Sequence, residues 1–372
     1  MENGKVYTAI GLMSGTSLDG VDCALIETDG KSFVRPLEFV TMPYQPKARE
    51  EIRACFGIKN RRDPKVLTAE KLITFKHIEA VQALLHESGK SARQIDVIGF
   101  HGQTIYHAPL ERMTVQIGDG DRMARELGID VIDDFRSADV KAGGEGAPLA
   151  PLYHAARIRG AGIALPVAVL NIGGVANVTY IGEGEDDILA FDTGPGNALM
   201  DDWVKSKTGE PYDKDGALAA AGNVVPVFLQ DWLRHPYFTR RPPKSLDRDE
   251  WDIADLGRMA QGMGEISVED GAATLLQFTA QAIVQSLDHL PQKPNSWYAC
   301  GGGRHNKALM ARLDGMLGGA MENVDDLGWN GDATEAECFA YLAVRSLLGL
   351  PISLPTTTAC PAPMSGGTLH KK

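Results

Sequence analysis

The chain opens with a segment in which apolar and polar positions alternate. Residues 10–25, IGLMSGTSLDGVDCAL, carry apolar side chains on either side of a short polar stretch that holds two glycines and three hydroxyls. Alternation of this kind is typical of β-strands, and Gly, Ser, Thr and Asp are the residues that usually connect them. The pattern therefore predicts a β-hairpin, and a third strand is predicted at residues 33–42.

A similar unit recurs in the middle of the chain. Residues 167–181, VAVLNIGGVANVTYI, again predict a strand, a glycine-containing turn and a strand. Two such halves fit a length of 372 residues, and their turns would lie on either side of a cleft. The Gly-rich, Pro-bounded segment 141–151 is the predicted interdomain region. We therefore expect an α/β protein with lobe one at residues 1–140 plus 333–372 and lobe two at residues 141–332.

Helical spacing of apolar residues fills in the other elements. A long helix is predicted at residues 64–86, with Leu72, Phe75, Ile78, Val81 and Leu85 on its buried face. Residues 95–104 and 129–133 each predict an apolar strand that runs into a polar turn. Further helices are predicted at residues 271–289 and 333–348, and the polar, aromatic-rich residues 212–263 predict a helical insertion in lobe two.

Composition and charge narrow the function classes. Hydrophobic residues make up 44% and charged residues 23% of the chain, as in soluble globular proteins. The net charge of −12 argues against a nucleic-acid or anionic-membrane partner, since both require basic surface. The five cysteines form no CxxC pair, and neither a signal-peptide pattern nor an 18-residue apolar run is found. We expect a cytoplasmic protein in a reducing compartment without zinc or structural disulfides.

The strongest chemical signal is the sequence DTGPGN at residues 192–197. A strand is predicted to end at Asp192, and a helix is predicted to open at Gly196 and Asn197. Such a turn offers backbone N–H groups and a helix N-terminus to phosphate, while Asp192 could act as a general base towards water or a hydroxyl. The alternative is that Asp192 only caps the turn or helix. Because the first hairpin turn is a second glycine-acid turn of this type, we favour the chemical interpretation.

Three further features are weaker. The run Gly301 to Gly303 follows an apolar strand and would allow flat approach of a nucleotide, although a glycine run is more often a tight connection. His101, Gln103 and Arg136 lie at predicted strand ends, where substrates commonly bind, and Arg136 could hold a carboxylate. Their structural alternatives are a hydrogen-bonded histidine and an Arg paired with a neighbouring Asp. Rossmann, Walker, G-x-S-x-G and HExxH patterns are not found.

Together these elements resemble the acetate and sugar kinase, chaperone ATPase and actin superfamily, in which two hairpin turns clamp a triphosphate across a cleft. Within it, the chain is similar to the anhydro-N-acetylmuramic acid kinase family. The motifs that carry this resemblance run in order from residue 11 to about residue 355: GLMSGTSLDGVD, HGQT, QIGD, DFR, GGEGAPL, LNIGGVANVT, DTGPGN, PYDKDG, PPKS, CGGG and GLPISLP. The resemblance implies an actin-like fold with a duplicated ribonuclease H-like core.

The resemblance also implies an activity and its residues. The family phosphorylates O6 of 1,6-anhydro-N-acetylmuramic acid with ATP while water opens the anhydro ring, giving N-acetylmuramic acid 6-phosphate for cell-wall recycling. Asp192 would activate the water, and Mg²⁺ would accompany ATP, with Asp19 holding it through water. The implied sugar contacts are His101, Gln103, Arg136 and Glu335. The implied ATP contacts are Gly15, Thr16, Ser17, Leu18, Asp19, Gly20, Val21 and Asp22, then Gly194, Gly196 and Asn197, then Gly301, Gly302, Gly303 and Asn306.

A homodimer is likewise what the resemblance implies. One departure is Glu145, which stands where the family pattern has an amide in GGQGAPL, and a carboxylate there would alter substrate contacts. Two other functions stay open. The chain could be another kinase of the superfamily, acting on a different sugar or a carboxylate. It could also be a nucleotide-gated binding protein of the actin or chaperone type, although no peptide-binding domain of the chaperone kind is evident.

Overall fold

The structure, a computed structural model, describes residues 4–246 and 266–372. Its strands alternate with helices along most of the chain, as the sequence predicts for an α/β protein. In chain order the strands are β1 (Tyr7–Ser14), β2 (Gly20–Thr28), β3 (Val34–Pro43), β4 (Val97–Ala108), β5 (Met113–Ile117), β6 (Val131–Asp133), β7 (Val167–Ile172), β8 (Val175–Ile181), β9 (Ile188–Pro195), β10 (Ser296–Cys300), β11 (Met321–Asn323) and β12 (Thr368–His370).

The α-helices are named in the same way. In chain order they are α1 (Pro46–Arg53), α2 (Pro64–Ser88), α3 (Gly120–Leu127), α4 (Ser137–Ala142), α5 (Pro151–Gly160), α6 (Ala198–Thr208), α7 (Ala217–Ala221), α8 (Pro226–Trp232), α9 (Val268–Gln285), α10 (Lys307–Leu317), α11 (Thr334–Leu347) and α12 (Pro355–Thr358). The predicted insertion at residues 212–263 contains α7 and α8, and its part beyond residue 246 lies outside the described residues.

The chain divides into two compact units, residues 1–163 with 333–372 and residues 164–332. In unit 1 the predicted hairpin is confirmed, because β1 and β2 pair antiparallel and β3 extends them as the third strand. β4 then lies parallel to β1 on its other side, and β6 lies parallel to β4. The sheet order is β12-β6-β4-β1-β2-β3, with β5 paired to β4.

Unit 2 repeats this arrangement with its own residues. β7, β8 and β9 form the antiparallel part, β10 lies parallel to β7, and β11 lies parallel to β10. The order β11-β10-β7-β8-β9 therefore matches β6-β4-β1-β2-β3 in both neighbours and direction. Three antiparallel strands followed by two parallel ones make up a ribonuclease H-like core. The duplicated core predicted from the two similar hairpins is confirmed.

Unit 1 packs helices on both faces of its sheet. α2 lies on one face, and α11 lies against β1, β2 and β4 on the other. A Cβ at Gly11 or Gly99 would collide with the backbone carbonyls of Ala336 or Phe339, so these glycines let α11 approach the strands closely. This contact brings the start of α11 to the carboxyl end of β1, where the first turn begins.

The predicted long helix is confirmed as α2, and Gly89 ends it in the left-handed conformation. One predicted core residue is wrong, because Phe75 is 47% exposed. The buried face of α2 runs through Ala69, Ile73 and His77. At about 100° per residue, a side chain two positions beyond Ile73 points to the opposite side of the helix.

The predicted domain boundary needs correction. The segment 141–151 is no interdomain linker, because residues 141–163 belong to unit 1. The Asp139 carboxylate accepts from the Gly146 amide at 2.7 Å and from the Thr358 hydroxyl at 2.6 Å, which ties the glycine loop to the C-terminal tail. The buried Arg157 of α5 also pairs with Glu337 of α11 at 2.6 Å. The glycines and prolines that suggested a linker form a tethered loop.

Candidate active site

The first turn connects β1 and β2 around one buried leucine. Leu18 has a φ of 60° and a fully buried side chain, and its amide donates to the Gly15 carbonyl at 3.2 Å. Burial of Leu18 anchors the turn in the core and leaves Thr16, Ser17 and Asp19 exposed. The exposed hydroxyls and glycine backbone suit contact with a phosphate group.

The remaining predicted residues of this turn have structural partners. A Cβ at Gly20 would meet the Met42 carbonyl at 2.5 Å, and Val21 is fully buried. Asp22 lies within β2 and accepts from the Thr41 hydroxyl at 2.7 Å. Asp19 keeps a carboxylate in solvent, although Arg49 donates to it at 3.1 Å. Side-chain chemistry from residues 15–22 thus comes from Thr16, Ser17 and Asp19.

The HGQT motif lies beside this turn. Gln103 accepts from the Ser14 hydroxyl at 2.6 Å, and its amide nitrogen donates to the Gly15 carbonyl at 3.3 Å. Ser14 is also 3.0 Å from the Tyr44 hydroxyl. Gln103 is fully buried, so its amide supports the turn from below and does not reach solvent. The structure therefore places Gln103 as a support of the first turn.

His101 and Arg136 are direct partners in unit 1. Arg136 Nε donates to His101 Nε2 at 3.0 Å, and its Nη1 donates to the Gly146 carbonyl at 2.7 Å. Since Nε2 accepts, the His101 proton sits on Nδ1 and is donated to the Gly102 carbonyl at 2.9 Å. Burial, followed by the Arg136 charge, holds the pKa of His101 well below its usual range. His101 is therefore a neutral acceptor that orients Arg136.

Arg136 does not take the structural role considered for it. Asp133 hydrogen-bonds to His370 at 2.9 Å instead of pairing with Arg136. Burial lowers the pKa of the Arg136 guanidinium, and the charge of Glu335 at the start of α11 opposes that shift. Arg136, His101 and Glu335 thus belong to one neighbourhood of unit 1, and a half-buried guanidinium held from two sides is suited to bind a carboxylate.

In unit 2 the turn after β9 is held by backbone hydrogen bonds. The Gly196 amide donates to the Gly174 carbonyl at 2.9 Å, and the Asn197 amide donates to the Gly173 carbonyl at 2.8 Å. The expectation that these N–H groups point to phosphate is therefore wrong, because the β7–β8 turn uses them. A Cβ at Gly196 would collide with Gly173, so glycine is required for this contact. The predicted helix itself is confirmed as α6, which begins after Asn197.

Asp192 lies inside β9 and not at its end. The strand continues to Pro195, and Asp192 pairs in register with Asn177 of β8. Its carboxylate accepts from the Leu246 amide at 2.8 Å, its amide donates to the Lys244 carbonyl at 2.9 Å, and its carbonyl accepts from the Tyr237 hydroxyl at 2.6 Å. The segment 237–246 therefore fixes both the backbone and the side chain of Asp192.

Two glycines of the run after β10 pack tightly against neighbouring residues, and the third faces open space. A Cβ at Gly301 would collide with Asn171, and one at Gly303 would collide with Ile172. At Gly302 no atom lies within 4 Å of that position, and the residue is exposed. Gly301 and Gly303 are thus needed for packing, as the structural interpretation of the run expects. Gly302 is the position where a ligand can approach the backbone.

Asn306 and Arg304 support this glycine run. Asn306 is 8% exposed and accepts from the Leu309 amide at 3.0 Å, so its side chain caps α10. Arg304, which the sequence analysis passed over, donates to the Gly301 carbonyl at 3.1 Å and pairs with Asp325 and Asp332. Only the position of Arg304 directly after CGGG could have drawn attention to it.

Gln116 and Lys244 were also missed, although their motifs QIGD and PPKS were noted. Gln116 lies next to HGQT, because its Nε2 donates to the Thr104 hydroxyl at 3.1 Å. The described residues provide no partner for its buried Oε1. Lys244 is 3% exposed, and its carbonyl accepts from the Asp192 amide. A buried amide and a buried lysine cannot be recognised from residue type, which usually indicates exposed positions.

Two absences apply to residues 4–246 and 266–372. In this part of the chain, no group of three His, Cys, Asp or Glu side chains is arranged to hold a metal ion. No helix there is long and apolar enough to cross a membrane. All five cysteines are free and buried.

Comparison with known proteins gives the same family as the motifs. The family profile described as Anhydro-N-acetylmuramic acid kinase matches residues 7–372. A relative of that name from Rhizorhabdus wittichii is 51% identical over 98% of this chain and 98% of its own length. Another, from Rhodospirillum rubrum, is 47% identical over 98% of this chain and 94% of its own length.

One solved structure that matches the chain is more distant in sequence. The activator of the 2-hydroxyisocaproyl-CoA dehydratase from Clostridium difficile, with bound ADPNP, aligns over 91% of this chain and 94% of its own at 12% identity and a TM-score of 0.46. The family assignment rests on the sequence matches, which extend over almost the whole chain and so span the positions of the motifs named above. This chain belongs to the anhydro-N-acetylmuramic acid kinase family.

Proposed function

We propose that the protein uses ATP to phosphorylate O6 of 1,6-anhydro-N-acetylmuramic acid while water opens the 1,6-anhydro ring. The product is N-acetylmuramic acid 6-phosphate, an intermediate of cell-wall recycling and amino-sugar catabolism. The observation that carries the proposal is the family match over residues 7–372, at about half of all positions identical to relatives of that name. The protein is thus a sugar kinase and a phosphotransferase.

Asp192 is proposed as the base of the ring-opening step. Its carboxylate takes a proton from water, the water oxygen bonds to the anomeric carbon, and the bond from that carbon to O6 breaks. O6 leaves with the electron pair, attacks the γ-phosphorus and displaces ADP. The proton on Asp192 passes to solvent. The Leu246 amide, which holds one carboxylate oxygen at 2.8 Å, supports this role by fixing the carboxylate.

The other predicted residues divide between ATP and sugar. We propose that the first turn, Gly15 to Asp22, contacts the phosphates through its backbone and the exposed Thr16 and Ser17. Gly194, Gly196 and Asn197 would shape the second turn, and Gly301 to Gly303 would border the adenosine, with Asn306 beneath them. Arg136, oriented by His101, would bind the lactyl carboxylate of the sugar, because the guanidinium is a planar carboxylate ligand.

Mg²⁺, a homodimer and a cytoplasmic location complete the proposal. Mg²⁺ usually binds through phosphates, waters and one or two carboxylates, so the exposed carboxylate of Asp19 fits a water-mediated contact. When bound, the ion would neutralise triphosphate charge. The dimer and the location are proposed from the family resemblance, and the five free cysteines suit a reducing compartment.

Isotope labelling tests the proposal directly. The protein is incubated with Mg-ATP and 1,6-anhydro-N-acetylmuramic acid in ¹⁸O-labelled water, and the product is analysed by mass spectrometry. We expect a 6-phosphate that carries one ¹⁸O at the anomeric carbon. Turnover without the label would contradict hydrolytic ring opening. ATP binding without turnover would contradict the substrate and favour another kinase of the superfamily or a nucleotide-gated binding protein.

A further inference from the structure

Asp192 forms three hydrogen bonds with one short segment of unit 2, residues 237–246. Tyr237 donates its hydroxyl to the Asp192 carbonyl at 2.6 Å, and the Lys244 carbonyl accepts from the Asp192 amide at 2.9 Å. The Leu246 amide donates to Asp192 Oδ2 at 2.8 Å. Because the last bond fixes a carboxylate oxygen, the position of residues 244–246 determines where the carboxylate points.

The Lys244 side chain connects the end of this segment to its start. Its Nζ donates to the Tyr237 carbonyl at 3.0 Å and to the Phe238 carbonyl at 3.5 Å. The same ammonium lies 4.5 Å from the centre of the Tyr237 ring and 5.8 Å from that of Phe191, the residue before Asp192. Lys244 therefore links the start of the segment, its end and β9 through one side chain.

The burial of this ammonium is unusual. Lys244 is 3% exposed, and no ion pair to it is found among the described residues. Burial, followed by the Arg240 charge, lowers the pKa of Lys244 to about 8, while the Asp192 charge acts in the opposite direction. Removing an ammonium from water without a paired carboxylate is unfavourable. Such groups are found mainly where function requires them.

We propose that Lys244 is a positioning residue that holds segment 237–246 against β9, so that the Leu246 amide keeps the Asp192 carboxylate aligned for ring opening. This inference rests on the proposed function of Asp192. Lys244 acts through Asp192, Tyr237 and Leu246 and has no assigned contact with substrate. The role is distinct from phosphate binding, because its two hydrogen bonds go to protein carbonyls.

The first test replaces the ammonium while keeping the side-chain volume. In Lys244→Met, kcat for the 6-phosphate should fall about 10²-fold, as a displaced catalytic group would cause. KM for ATP and for the sugar should stay within about twofold, because the hydrogen bonds of the Lys244 ammonium go to protein carbonyls. Lys244→Arg retains the charge and the hydrogen-bond donors, so its kcat should be at least about tenfold higher than that of Lys244→Met. The matched control is Lys207→Met, since Lys207 is an exposed lysine that lies 4.8 Å from the Trp203 ring centre.

A second pair of variants tests the link through Leu246. Leu246→Pro removes the N–H that bonds to Asp192, whereas Leu246→Ala shortens the side chain and keeps the N–H. We expect Leu246→Pro to lower kcat as Lys244→Met does, and Leu246→Ala to lower it far less. Lys244→Met and Leu246→Pro both act on the Asp192 carboxylate. The double variant that combines them should therefore be no slower than the slower of the two single variants. Additive losses of kcat in the double variant would contradict the proposal. The comparison of Leu246→Pro with Leu246→Ala remains informative if Lys244→Met does not fold.

Hydrogen exchange separates this inference from the proposed function. In the protein without substrate, the Leu246 amide should exchange slowly, and Lys244→Met but not Lys207→Met should accelerate it. This result is independent of turnover, so an inactive wild type would contradict only the proposed reaction. Unchanged exchange in Lys244→Met would contradict the inference. A raised KM for ATP with unchanged kcat, or a lower melting temperature with unchanged kcat, would also overturn it.

Discussion

The Ser14 hydroxyl donates to Gln103 Oε1 at 2.6 Å, and this bond joins the first turn to the HGQT motif. Ser14 is the last residue of β1 and Gln103 lies in the parallel neighbour β4. Both side chains are buried, and the Gln103 amide also reaches the Gly15 carbonyl at 3.3 Å. Two motifs 89 positions apart in the sequence are therefore one structural unit, which joins the carboxyl end of β1 to the middle of β4. HGQT lies within β4, because the strand continues to Ala108 and does not end at this motif as the sequence suggested.

Replacing this amide tests its assignment to the turn. Gln103→Leu removes one hydrogen bond from the Ser14 hydroxyl and one from the Gly15 carbonyl, which keep the Tyr44 hydroxyl and the Leu18 amide as partners. The loss should cost about 0.5–1.5 kcal/mol per hydrogen bond. We expect KM for ATP to rise about tenfold, with a smaller change in KM for the sugar. Steady-state kinetics measures both constants, and Gln292→Leu at an exposed position is the control. A change confined to KM for the sugar would instead make Gln103 a substrate contact.

Asp192→Asn tests the base assignment. The amide keeps the size of the side chain and can still accept from the Leu246 amide, so the fold should be retained. An amide cannot take a proton from water, and we expect ring opening and phosphorylation to fall together by about 10²–10⁴-fold. Product analysis by mass spectrometry follows both events. Ring opening that persists in this variant would exclude Asp192 as the water-activating base.

The glycine run offers a pair of variants that separate binding from packing. At Gly302 an added Cβ meets open space, so Gly302→Ala should fold normally and weaken ATP binding by occupying the ligand side. At Gly303 the Cβ would collide with Ile172, and Gly303→Ala should lower the melting temperature by several degrees. Calorimetric titration with ATP and thermal melts measure the two effects. Unchanged ATP affinity in Gly302→Ala would remove this run from the nucleotide site.

The sequence was informative about elements and motifs and less so about what each residue does. Both hairpins, the long helix and the duplicated core follow from apolar periodicity, which depends on local spacing. Periodicity does not show how polar groups are used: the Gly196 amide donates to the Gly174 carbonyl of the β7–β8 turn, and the Asn306 side chain caps α10. Lys244 shows the same limit, since its contacts with Tyr237 and β9 arise only when the chain folds.

The Arg136 guanidinium should set affinity for the sugar. In Arg136→Lys the charge remains, but the planar fork that is oriented by His101 Nε2 and the Gly146 carbonyl is lost. We expect KM for the sugar to rise about 10²-fold, with KM for ATP nearly unchanged. An anhydro sugar that lacks the lactyl carboxylate provides the control, because its KM should be equal for wild type and variant. A similar rise with that analogue would contradict the carboxylate assignment.

Three buried histidines of unit 1 make stability depend on pH. Burial lowers the pKa of His77 to about 4 and that of His154 to about 3, and it holds the pKa of His101 well below its usual range. The unfolded chain titrates near pH 6.5, so below that pH it binds more protons than the folded chain. The histidine contribution to stability is therefore complete above about pH 6.5 and is lost as the pH falls.

The loss amounts to at most about 1.4 kcal/mol per pH unit for each histidine. Melting temperatures should accordingly decrease steadily between about pH 6.5 and pH 5. The half-buried carboxyl of Asp133 and the buried carboxyl of Glu337, whose pKa values desolvation raises, act in the opposite direction and limit the decrease at the acid end. His77→Gln should reduce the slope of the free energy of unfolding against pH by the contribution of one proton. His86→Gln, at an exposed position, should leave this slope unchanged. A melting temperature that stays constant over this range would mean that the three histidines bind protons in the folded state and are not enclosed as the structure shows.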